Sequence, residues 1–286
     1  MTTVLMHTNN ATLIEKTIDN NNNNNNNKFT PETITWLKPW TPKLFSFRIT
    51  RPKTYRFEAG QWARLGILKS GESKPVWRAY SIVNATYESY LEFYSIVVPN
   101  GEFTSELSRL NLGDTVLLEK IPYGFLTTAR FEQLPQQNLW LLSTGTGLAP
   151  FLSILADFEV WQHYQRVIVV HGVRQRDELT YTDTLVNLSK HELFKDNAEK
   201  LIYQPCLTRE PVENLPVGAL IGRIPALIDS GVLESAVNTS LTLENSRVMI
   251  CGNPDMVSET RTVLKNRGLT VSRSQQLGNI AVENYW

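Results

Sequence analysis

The sequence predicts two domains, an antiparallel β-barrel followed by an α/β domain with a parallel sheet. A length of 286 residues is typical of two domains. Between residues 32 and 136, short stretches rich in aromatic and β-branched residues alternate with turn residues, as in a small antiparallel barrel. From residue 138 onward, apolar strands alternate with helical stretches. That alternation predicts a parallel sheet with crossover helices.

The composition excludes several classes of function. The chain is 42% apolar and carries 28 basic and 28 acidic residues, so no net field favours nucleic acid or an anionic membrane. The longest apolar runs, 139–142 and 167–170, are far too short to span a bilayer. Two cysteines, Cys206 and Cys251, form neither a disulfide framework nor an iron–sulfur ligand set. We therefore expect a cytoplasmic monomer without a metal, and no nucleic-acid or membrane partner.

The chain divides into three segments. Residues 1–28 are low in complexity and include an Asn tract from Asn20 to Asn27, which predicts a disordered leader. This leader is either an interaction tail or a tolerated repeat. Residues 29–136 form the predicted barrel domain, and residues 137–286 form the predicted α/β domain.

The predicted elements follow the two patterns. The barrel strands are 33–37, 44–50, 61–68, 77–83, 91–98 and 115–121, with a short helix at 104–110 that Thr104 would cap. The parallel strands are 139–142, 167–171, 201–206 and 248–251, and the helices are 149–164, 178–191, 224–230 and 254–267. Ligands bind at the carboxyl ends of such parallel strands, where the motifs of this domain lie.

A short motif in the barrel domain has the side chains that a flavin needs. Arg78 and Tyr80 are two apart on one strand and therefore face the same side. Arginine offers a planar fork of donors to a phosphate. Tyr80 offers a ring that stacks on an isoalloxazine, and Ser81 offers a hydroxyl to the polar edge of that ring. On this motif alone, the alternative of ordinary barrel surface residues stays open.

The next strand leads into a turn that suits a pyrophosphate. Leu91-Glu-Phe-Tyr-Ser95 is followed by Val98-Pro-Asn-Gly101-Glu-Phe-Thr104 and the short helix. Backbone N–H groups at a helix start attract anions, so we expect a pyrophosphate there.

The second motif connects an apolar strand to a helix. It reads Ser143-Thr-Gly145-Thr-Gly147-Leu-Ala-Pro150. Glycines allow close backbone approach, and a helix N-terminus favours a pyrophosphate. The spacing is not Gly-x-Gly-x-x-Gly, and the absence of a P-loop Lys-Ser/Thr argues against nucleotide hydrolysis. A glycine-rich turn without a ligand is the alternative.

Three arginines follow predicted strands of the second domain: Arg174, Arg209 and Arg223. They suit the doubly charged 2′-phosphate of NADP, whereas an NAD site more often carries an acid for the ribose hydroxyls. Glu210 is an acid in that neighbourhood. Solvated loop arginines remain the alternative for at least one of the three.

Cys251 ends the last core strand, in Cys251-Gly-Asn-Pro254. A small residue there would let a nicotinamide ring approach a flavin. A nucleophilic role is disfavoured, because no histidine is placed in the sequence to activate the thiol.

Together these motifs resemble the bacterial ferredoxin/flavodoxin–NADP⁺ reductases, over about residues 32–286. The patches are Arg-Ala-Tyr-Ser, Leu-Glu-Phe-Tyr, Ser-Thr-Gly-Thr-Gly-Leu-Ala-Pro, Gly-Arg-Ile-Pro-Ala-Leu-Ile, Cys-Gly-Asn-Pro and the final Val-Glu-Asn-Tyr-Trp, which is similar to the enterobacterial-like subgroup. The resemblance implies an antiparallel β-barrel FAD-binding domain and an α/β parallel-sheet NADP-binding domain. It also implies electron exchange between NADPH and a one-electron carrier, ferredoxin or flavodoxin.

The resemblance further implies roles for individual residues. The residues that would hold FAD are Arg78, Tyr80, Ser81, Phe93, Tyr94, Gly101, Phe103, Thr104, Tyr285 and Trp286, with Trp286 on the adenine. Those that would hold NADP(H) are Thr144, Gly145, Arg174, Arg209 and Arg223. Those that would surround the reacting rings as the catalytic set are Tyr80, Ser81, Cys251 and Tyr285. Thr104 stands where the family often has Ser, and the arginine-rich run before the tail is thinner here.

A basic segment indicates an acidic partner. Between Lys38 and Arg78, ten basic residues accompany two acids, a net charge of +8 in a neutral chain. An acidic ferredoxin or flavodoxin would dock there with electrostatic steering. A solvated barrel surface is the alternative.

Three other functions remain open. They are an NADH-dependent oxygenase reductase component, a free flavin or quinone reductase, and a non-catalytic flavin- or nucleotide-binding regulator. The chain has no cysteine cluster for an attached iron–sulfur domain, and the arginines favour NADPH over NADH.

Overall fold

A computed structural model describes residues 28–69, 71–132, 134–188, 195–273 and 276–284. The chain divides into two compact units, the first ending at Tyr123 and the second beginning at Gly124. The Asn-rich leader lies outside the described residues, so its disorder stays a prediction. The predicted domain boundaries likewise stay predictions.

The first unit is a six-stranded antiparallel sheet that is nearly closed into a barrel. Its elements are β1 (Phe29–Pro39), β2 (Leu44–Thr50), β3 (Trp62–Ile67), β4 (Val76–Ser81), β5 (Tyr90–Ile96), α1 (Thr104–Leu107) and β6 (Thr115–Glu119). The strands pair in the order β4-β3-β6-β1-β2-β5. A bridge between Ile82 and Phe93 joins the two ends of that order. The predicted antiparallel barrel is confirmed.

The alternation of buried residues fixes the register inside this barrel. In β2 and β5, Phe47 pairs with Phe93 and Ile49 pairs with Leu91, and all four side chains are fully buried. Burial of a side chain of this size stabilises the fold by about 1.5–3 kcal/mol. Because side chains alternate between faces, a one-residue slip of either strand would turn its pair towards solvent.

The second unit is a six-stranded parallel sheet with helices. Its strands are β7 (Gln137–Thr144), β8 (Tyr164–Val173), β9 (Leu201–Leu207), β10 (Leu220–Ile221), β11 (Ser246–Gly252) and β12 (Ile280–Asn284). Its helices are α2 (Ala149–Leu155), α3 (Phe158–His163), α4 (Thr182–Leu188), α5 (Ile224–Asp229), α6 (Val232–Ala236) and α7 (Pro254–Asn266). The order is β10-β9-β8-β7-β11-β12, and every neighbouring pair is parallel. The predicted parallel sheet is confirmed, and all its carboxyl ends meet at one edge.

The predicted helix over 149–164 is wrong as a single element. It is two helices, α2 and α3, and Tyr164 already belongs to β8. The break has a local cause: Asp157 has an extended conformation, and its side chain accepts a hydrogen bond from the Glu159 N–H at 3.1 Å. This N-cap starts a new helix six residues before the strand.

The predicted cap at Thr104 is also wrong. Phe103 occupies the N-cap position of α1 without a side-chain cap, and Thr104 is the first helical residue. The Thr104 hydroxyl instead accepts a hydrogen bond from the Val98 N–H at 3.1 Å. It therefore closes the turn that precedes the helix.

A reciprocal pair of hydrogen bonds within the second unit holds the residues near its start. The Arg130 guanidinium donates to the Ser272 carbonyl at 3.0 Å, and the Ser272 hydroxyl donates back to the Arg130 carbonyl at 2.6 Å. This reciprocal pair ties the 3₁₀ turn Thr128–Arg130 to the segment before β12. The pair spans 142 positions of sequence, and no local pattern marks it.

Candidate functional site

The flavin motif lies where the barrel closes. Arg78 pairs with Leu65 and Tyr80 pairs with Ala63 across β3, and both partners are fully buried. Beyond the Ile82–Phe93 bridge, a side-chain hydrogen bond of 3.0 Å between the Tyr80 and Ser95 hydroxyls joins β4 to β5. The predicted common face of Arg78 and Tyr80 follows from this register.

The Tyr80 ring packs against core aromatics of the barrel. Its centroid lies 5.6 Å from that of Phe103, 6.1 Å from that of Phe47 and 6.2 Å from that of Phe93. Burial raises the pKa of Tyr80 to about 12, with the Ser95 hydrogen bond opposing part of the shift. The phenol is therefore neutral at physiological pH and able to donate a hydrogen bond.

Arg78 holds its guanidinium at the surface of the same strand. One of its nitrogens donates to the Trp77 carbonyl at 2.7 Å, and the side chain is exposed. The hydrogen bond to Trp77 holds one nitrogen of the guanidinium. The guanidinium stays at the surface, where it could bind a phosphate.

The other predicted flavin residues do not share one surface. Ser81 and Tyr80 are adjacent on β4 and point to opposite faces, as do Phe93 and Tyr94 on β5. Phe93 is fully buried in the barrel core, and Ser81 and Tyr94 are buried as well. The structure brings Tyr80, Phe93 and Phe103 together and separates Ser81 and Tyr94 from that cluster.

The turn before α1 needs its glycine for packing. The Gly101 N–H donates to the Val98 carbonyl at 2.9 Å. A Cβ on Gly101 would lie 2.6 Å from the Thr104 hydroxyl oxygen and 2.9 Å from the Val98 carbonyl oxygen. Gly101 is thus required by the tight turn itself.

The second motif forms a turn at the end of β7. Thr144 is the last strand residue, and Gly145–Leu148 is a 3₁₀ turn that runs into α2. Gly145 has a left-handed φ of +53°, and no atom lies within 4 Å of where its Cβ would be. Gly147 differs, because its Cβ would lie 2.6 Å from the Cys251 carbonyl carbon. Gly145 therefore leaves space for a ligand to approach the backbone, and Gly147 allows the turn to pack against β11.

Thr144 joins this turn to the end of β11. Its hydroxyl accepts a hydrogen bond from the Asn253 N–H at 2.9 Å. Gly252, with a φ of +138°, leaves no room for a side chain, since a Cβ would lie 2.8 Å from the Thr144 carbonyl oxygen. Cys251, next to it, is fully buried. The two predicted nicotinamide-side segments therefore meet at the carboxyl edge of the sheet.

Arg174 and Arg209 are placed side by side by their backbones. Arg174 follows β8 directly, and Arg209 lies two residues after the neighbouring β9. The Arg209 N–H donates to the Arg174 carbonyl at 2.8 Å, and both side chains are exposed. Two exposed arginines thus have adjacent backbones just beyond adjacent strand ends.

Glu210, the acid near these arginines, is hydrogen-bonded to the protein backbone. A Glu210 carboxylate oxygen accepts a hydrogen bond from the Arg176 N–H at 2.6 Å. Glu178 similarly accepts from the Arg174 N–H at 2.8 Å. Both carboxylates therefore hold backbone N–H groups of the loop after β8.

Arg223 is the N-cap residue of α5 and follows β10, the next strand along the sheet. One of its guanidinium nitrogens lies 3.0 Å from the Glu259 carboxylate on α7. Both side chains are about half exposed, so this ion pair exchanges readily with another anion. The three predicted arginines lie after three neighbouring strands.

His171 is a buried group that the sequence reasoning did not select. It lies in β8, has no exposed surface, and its Nε2 is 3.2 Å from the Gly145 carbonyl oxygen. Burial lowers the pKa of His171 to about 4. The only signal in the sequence is a histidine at the end of the apolar run 167–170.

The basic segment is partly neutralised within the barrel unit. Of its ten cations, Arg48, Arg64 and Lys69 form ion pairs with Glu92, Glu119 and Glu102 at 2.8, 3.4 and 2.9 Å. Arg51 donates to backbone carbonyls at 2.7–3.0 Å. The six others, all exposed, are Lys38, Lys43, Lys53, Arg56, Lys74 and Arg78.

The C-terminal aromatic residues, a metal site and a membrane span were also subjects of prediction. Tyr285 and Trp286 lie outside the described residues, so their packing on a cofactor stays a prediction. Among the described residues, no group of three His, Cys, Asp or Glu side chains is placed to hold a metal. Nor does any described helix combine the length and apolarity needed to cross a bilayer.

The residues present fit both predicted cofactors. Gly145 combines a left-handed backbone with open space where a side chain would stand, as an approaching phosphate requires. Arg174 and Arg209 add two exposed arginines with adjacent backbones at the same edge of the sheet. In the barrel unit, Arg78 and Tyr80 offer a surface cation and an aromatic ring on one face.

Comparison with known proteins assigns the class. The oxidoreductase FAD-binding domain model matches residues 40–127, and the oxidoreductase NAD-binding domain model matches residues 141–262. The chain is therefore a flavin-dependent oxidoreductase with a nicotinamide dinucleotide domain.

Individual relatives narrow this class. The chain is 42% identical to ferredoxin–NADP reductase of Pseudomonas aeruginosa over 256 residues, covering 88% of this chain and 95% of the relative. It is 37% identical to flavodoxin/ferredoxin–NADP reductase of Escherichia coli over 255 residues, covering 88% and 97%. A crystal structure of a ferredoxin NADP⁺ reductase from Neisseria gonorrhoeae with bound FAD and NADP matches with a TM-score of 0.82 and 38% identity, covering 91% of this chain and 99% of that one. The chain belongs to the ferredoxin/flavodoxin–NADP reductase family.

This membership confirms the resemblance drawn from the sequence. It also confirms the FAD and NADP(H) cofactors and the oxidoreductase activity that links them.

Proposed function

We propose that this enzyme passes electrons between NADPH and a small acidic ferredoxin or flavodoxin, and that the arginine pair after β8 and β9 selects NADPH. The observation that carries the proposal is the 2.8 Å hydrogen bond from the Arg209 N–H to the Arg174 carbonyl, which places the backbones of two exposed arginines side by side. A 2′-phosphate carries two negative charges, and paired arginine forks are the side chains best suited to it.

The position of Glu210 supports NADPH over NADH. In an NADH site, an acid more often binds the ribose hydroxyls. Here the Glu210 carboxylate accepts from the Arg176 N–H, so it serves the loop rather than a ribose. Arg223 adds a third cation, because a 2′-phosphate would compete with Glu259 for its half-exposed guanidinium.

The flavin side is assigned to the barrel unit. Arg78 would hold a phosphate of FAD, and Tyr80 would present its ring to the isoalloxazine from the face it shares with Arg78. Ser81, Phe93, Tyr94, Gly101, Phe103 and Thr104 would complete this site, Phe93 and Phe103 by supporting the Tyr80 ring.

The chain's own groups position the reactants and take no proton in this scheme. When bound, FAD supplies the redox chemistry, accepting a hydride from NADPH and releasing electrons singly to the carrier. Thr144 and Gly145 would hold the pyrophosphate, and buried Cys251 would leave room for the nicotinamide. Position and exclusion of water are therefore the protein's contribution to rate.

The first experiment follows the flavin band during anaerobic mixing with NADPH and, separately, NADH. Fast bleaching by NADPH and slow bleaching by NADH are expected. Equal or faster bleaching by NADH would overturn the arginine assignment and favour an oxygenase reductase component. Bleaching by NADPH without any transfer to ferredoxin or flavodoxin would favour a free flavin or quinone reductase. A bound flavin that neither coenzyme bleaches would favour a regulator.

The carrier would dock on exposed cations of the basic segment. The charge reversal K53E/R56E is expected to slow carrier reduction at low salt and to flatten its salt dependence, because it removes steering charges. K28E/K120E is a matched control, since Lys28 and Lys120 are exposed on the same unit outside the segment. Equal effects of the two double variants would remove the docking assignment.

We also propose a cytoplasmic monomer. Two buried cysteine thiols suit a reducing compartment. Sedimentation of the FAD-loaded protein as a 33 kDa species, consistent with a chain mass of 32.6 kDa, tests the oligomeric state.

A further inference from the structure

His171 is a buried residue of β8 whose side chain contacts Gly145, in the 3₁₀ turn after β7. In the parallel sheet its register partners are Ser143 on β7 and Pro205 on β9, so strands flank it on both sides. Its side chain has no exposed surface. It lies near the carboxyl end of β8, two residues before the strand ends at Val173.

The hydrogen bonds of His171 define its tautomer. Its Nε2 lies 3.2 Å from the Gly145 carbonyl oxygen, which only accepts hydrogen bonds, so Nε2 carries the proton. Its Nδ1 is then an acceptor, and the Tyr203 hydroxyl lies 3.5 Å away on the other side. Burial lowers the pKa of the imidazole to about 4 and raises that of the phenol to about 12, so both groups are neutral at pH 7.

This contact sets the direction of one peptide unit. In a trans peptide the C=O and the following N–H point in opposite directions. Holding the Gly145 carbonyl inward, against His171, therefore turns the Thr146 N–H away from the sheet. Gly145 and Thr146 are both partly exposed, and no atom beyond its chain neighbours lies within 4 Å of the Gly145 Cβ position, so this turn is open to a ligand.

We propose that His171 is a positioning residue that fixes the Gly145–Thr146 peptide unit so that its N–H faces the pyrophosphate of NADP(H). This inference rests on the proposed binding of the pyrophosphate at Thr144 and Gly145. His171 itself touches neither coenzyme nor flavin in this role. It acts through the carbonyl that it holds.

The test separates the pyrophosphate from the 2′-phosphate. NADP⁺ and adenosine 2′-monophosphate are titrated into the FAD-loaded enzyme and into H171L, H171Q and Y203F. H171L is expected to weaken NADP⁺ binding about tenfold, as loss of a hydrogen bond that orients a donor. Adenosine 2′-monophosphate has no pyrophosphate, so its affinity should stay within twofold. H171Q, whose amide nitrogen replaces Nε2, should recover NADP⁺ affinity to within about threefold.

Steady-state kinetics give a second readout. The KM for NADPH should rise in H171L while kcat with a saturating carrier and the FAD content stay unchanged, a split that general loosening of the core would not produce. H163Q is the matched control, because His163 is exposed on the same unit. If H171L does not fold, Y203F replaces it in the test, because it removes the hydroxyl that lies 3.5 Å from His171 Nδ1. The expected loss of NADP⁺ affinity in Y203F is two- to threefold.

The outcomes are distinct. Equal weakening of both ligands in H171L, or unchanged NADP⁺ affinity in H171L or, in its place, Y203F, overturns the role of His171. Failure of H171Q to recover affinity at wild-type thermal stability overturns it as well. A wild-type enzyme that binds neither ligand would instead overturn the underlying coenzyme assignment.

Discussion

The Arg209 N–H donates a hydrogen bond to the Arg174 carbonyl at 2.8 Å, and this bond joins two loops that are 35 residues apart in sequence. Thr208 adds a second link, with its N–H donating to the Val173 carbonyl at 3.1 Å. The loops after β8 and β9 therefore form a single surface that carries both arginines. Neither arginine needs the other's side chain for its position.

Glu210 stabilises this surface by accepting a hydrogen bond from the Arg176 N–H. E210A leaves the Arg176 N–H without its acceptor, and we expect a three- to tenfold rise in the KM for NADPH with kcat unchanged. E210Q keeps an acceptor oxygen while removing a negative charge near the coenzyme phosphate, so its KM should equal or fall below that of the wild type. Steady-state rates with NADPH and NADH provide the measurement.

The matched control for this prediction is E213A. Glu213 is exposed in the neighbouring 3₁₀ turn Val212–Asn214. E213A therefore removes the same charge as E210A but leaves the hydrogen bond to the loop after β8 in place. If E213A raised the KM as much as E210A, loss of the hydrogen bond to the Arg176 N–H would not explain the effect, and the positional role of Glu210 would be wrong.

The hydrogen bond between Tyr80 and Ser95 joins β4 to β5 where the barrel closes. Y80F removes only the hydroxyl and should lower the free energy of unfolding by about 1 kcal/mol, and S95A should do the same. The double variant should cost no more than either single one, because both changes remove one hydrogen bond. Urea unfolding of the four proteins gives the cycle. Additive losses would mean that the two hydroxyls act independently.

FAD retention distinguishes the ring of Tyr80 from its hydroxyl. Y80F preserves the ring that packs on Phe47, Phe93 and Phe103, so its flavin content should match that of the wild type. Y80A removes the ring and should release flavin on dilution.

Much of this fold could be predicted from the sequence because its signals are local. Buried strands such as β7 and β8 are apolar runs, and Phe47 and Ile49 alternate with polar neighbours in β2. The glycine-rich turn and the arginines after strands are local patterns too, and the topology brought them to one edge. The contacts of the site that were missed join residues far apart in sequence, and no local pattern specifies them.

His171 shows why part of the site could not be predicted. Its partner Gly145 is 26 positions away, in the turn after β7, and its Tyr203 contact spans 32 positions. From the sequence alone, Gly145 and Gly147 likewise cannot be distinguished. Only the position of β11, more than 100 residues later, separates a glycine beside open space from one packed on Cys251. The tertiary partner decides the role in each case.

Alanine substitutions at the two glycines test that separation. G147A forces a Cβ against the Cys251 backbone and should destabilise the protein by about 2–3 kcal/mol. G145A meets no atom and should cost about 1 kcal/mol through its left-handed backbone alone. G218A is the control, because Gly218 has a φ of +79° and open space outside the site.

Coenzyme affinity should rank these variants differently. G145A should raise the KM for NADPH several-fold, while G218A, equal in stability cost, should leave it unchanged. Thermal unfolding and NADPH oxidation are measured on the same preparations. A KM in G145A that matches that of G218A would remove Gly145 from the coenzyme site.

The buried imidazole of His171 predicts a pH dependence of stability. Its pKa is lowered from 6.5 when unfolded to about 4 when folded, by burial, with the Gly145 hydrogen bond opposing part of the shift. A lowered pKa in a histidine means that the unfolded chain binds the proton first. Its stabilisation is therefore complete above pH 6.5 and is lost as the pH falls from 6.5 towards 4. The total loss is about 3 kcal/mol, of which about 2 kcal/mol falls between pH 7 and 5.

H171Q has no titrating group at this position and should lack that component. Urea unfolding of wild type and H171Q at pH 7, 6 and 5 should show the wild type as the more stable protein at pH 7, with the difference shrinking by about 2 kcal/mol at pH 5. H163Q removes an exposed histidine and should follow the wild-type profile at every pH. Parallel profiles for wild type and H171Q would mean that His171 titrates normally, and a neutral imidazole donating to Gly145 through Nε2 would no longer account for the turn.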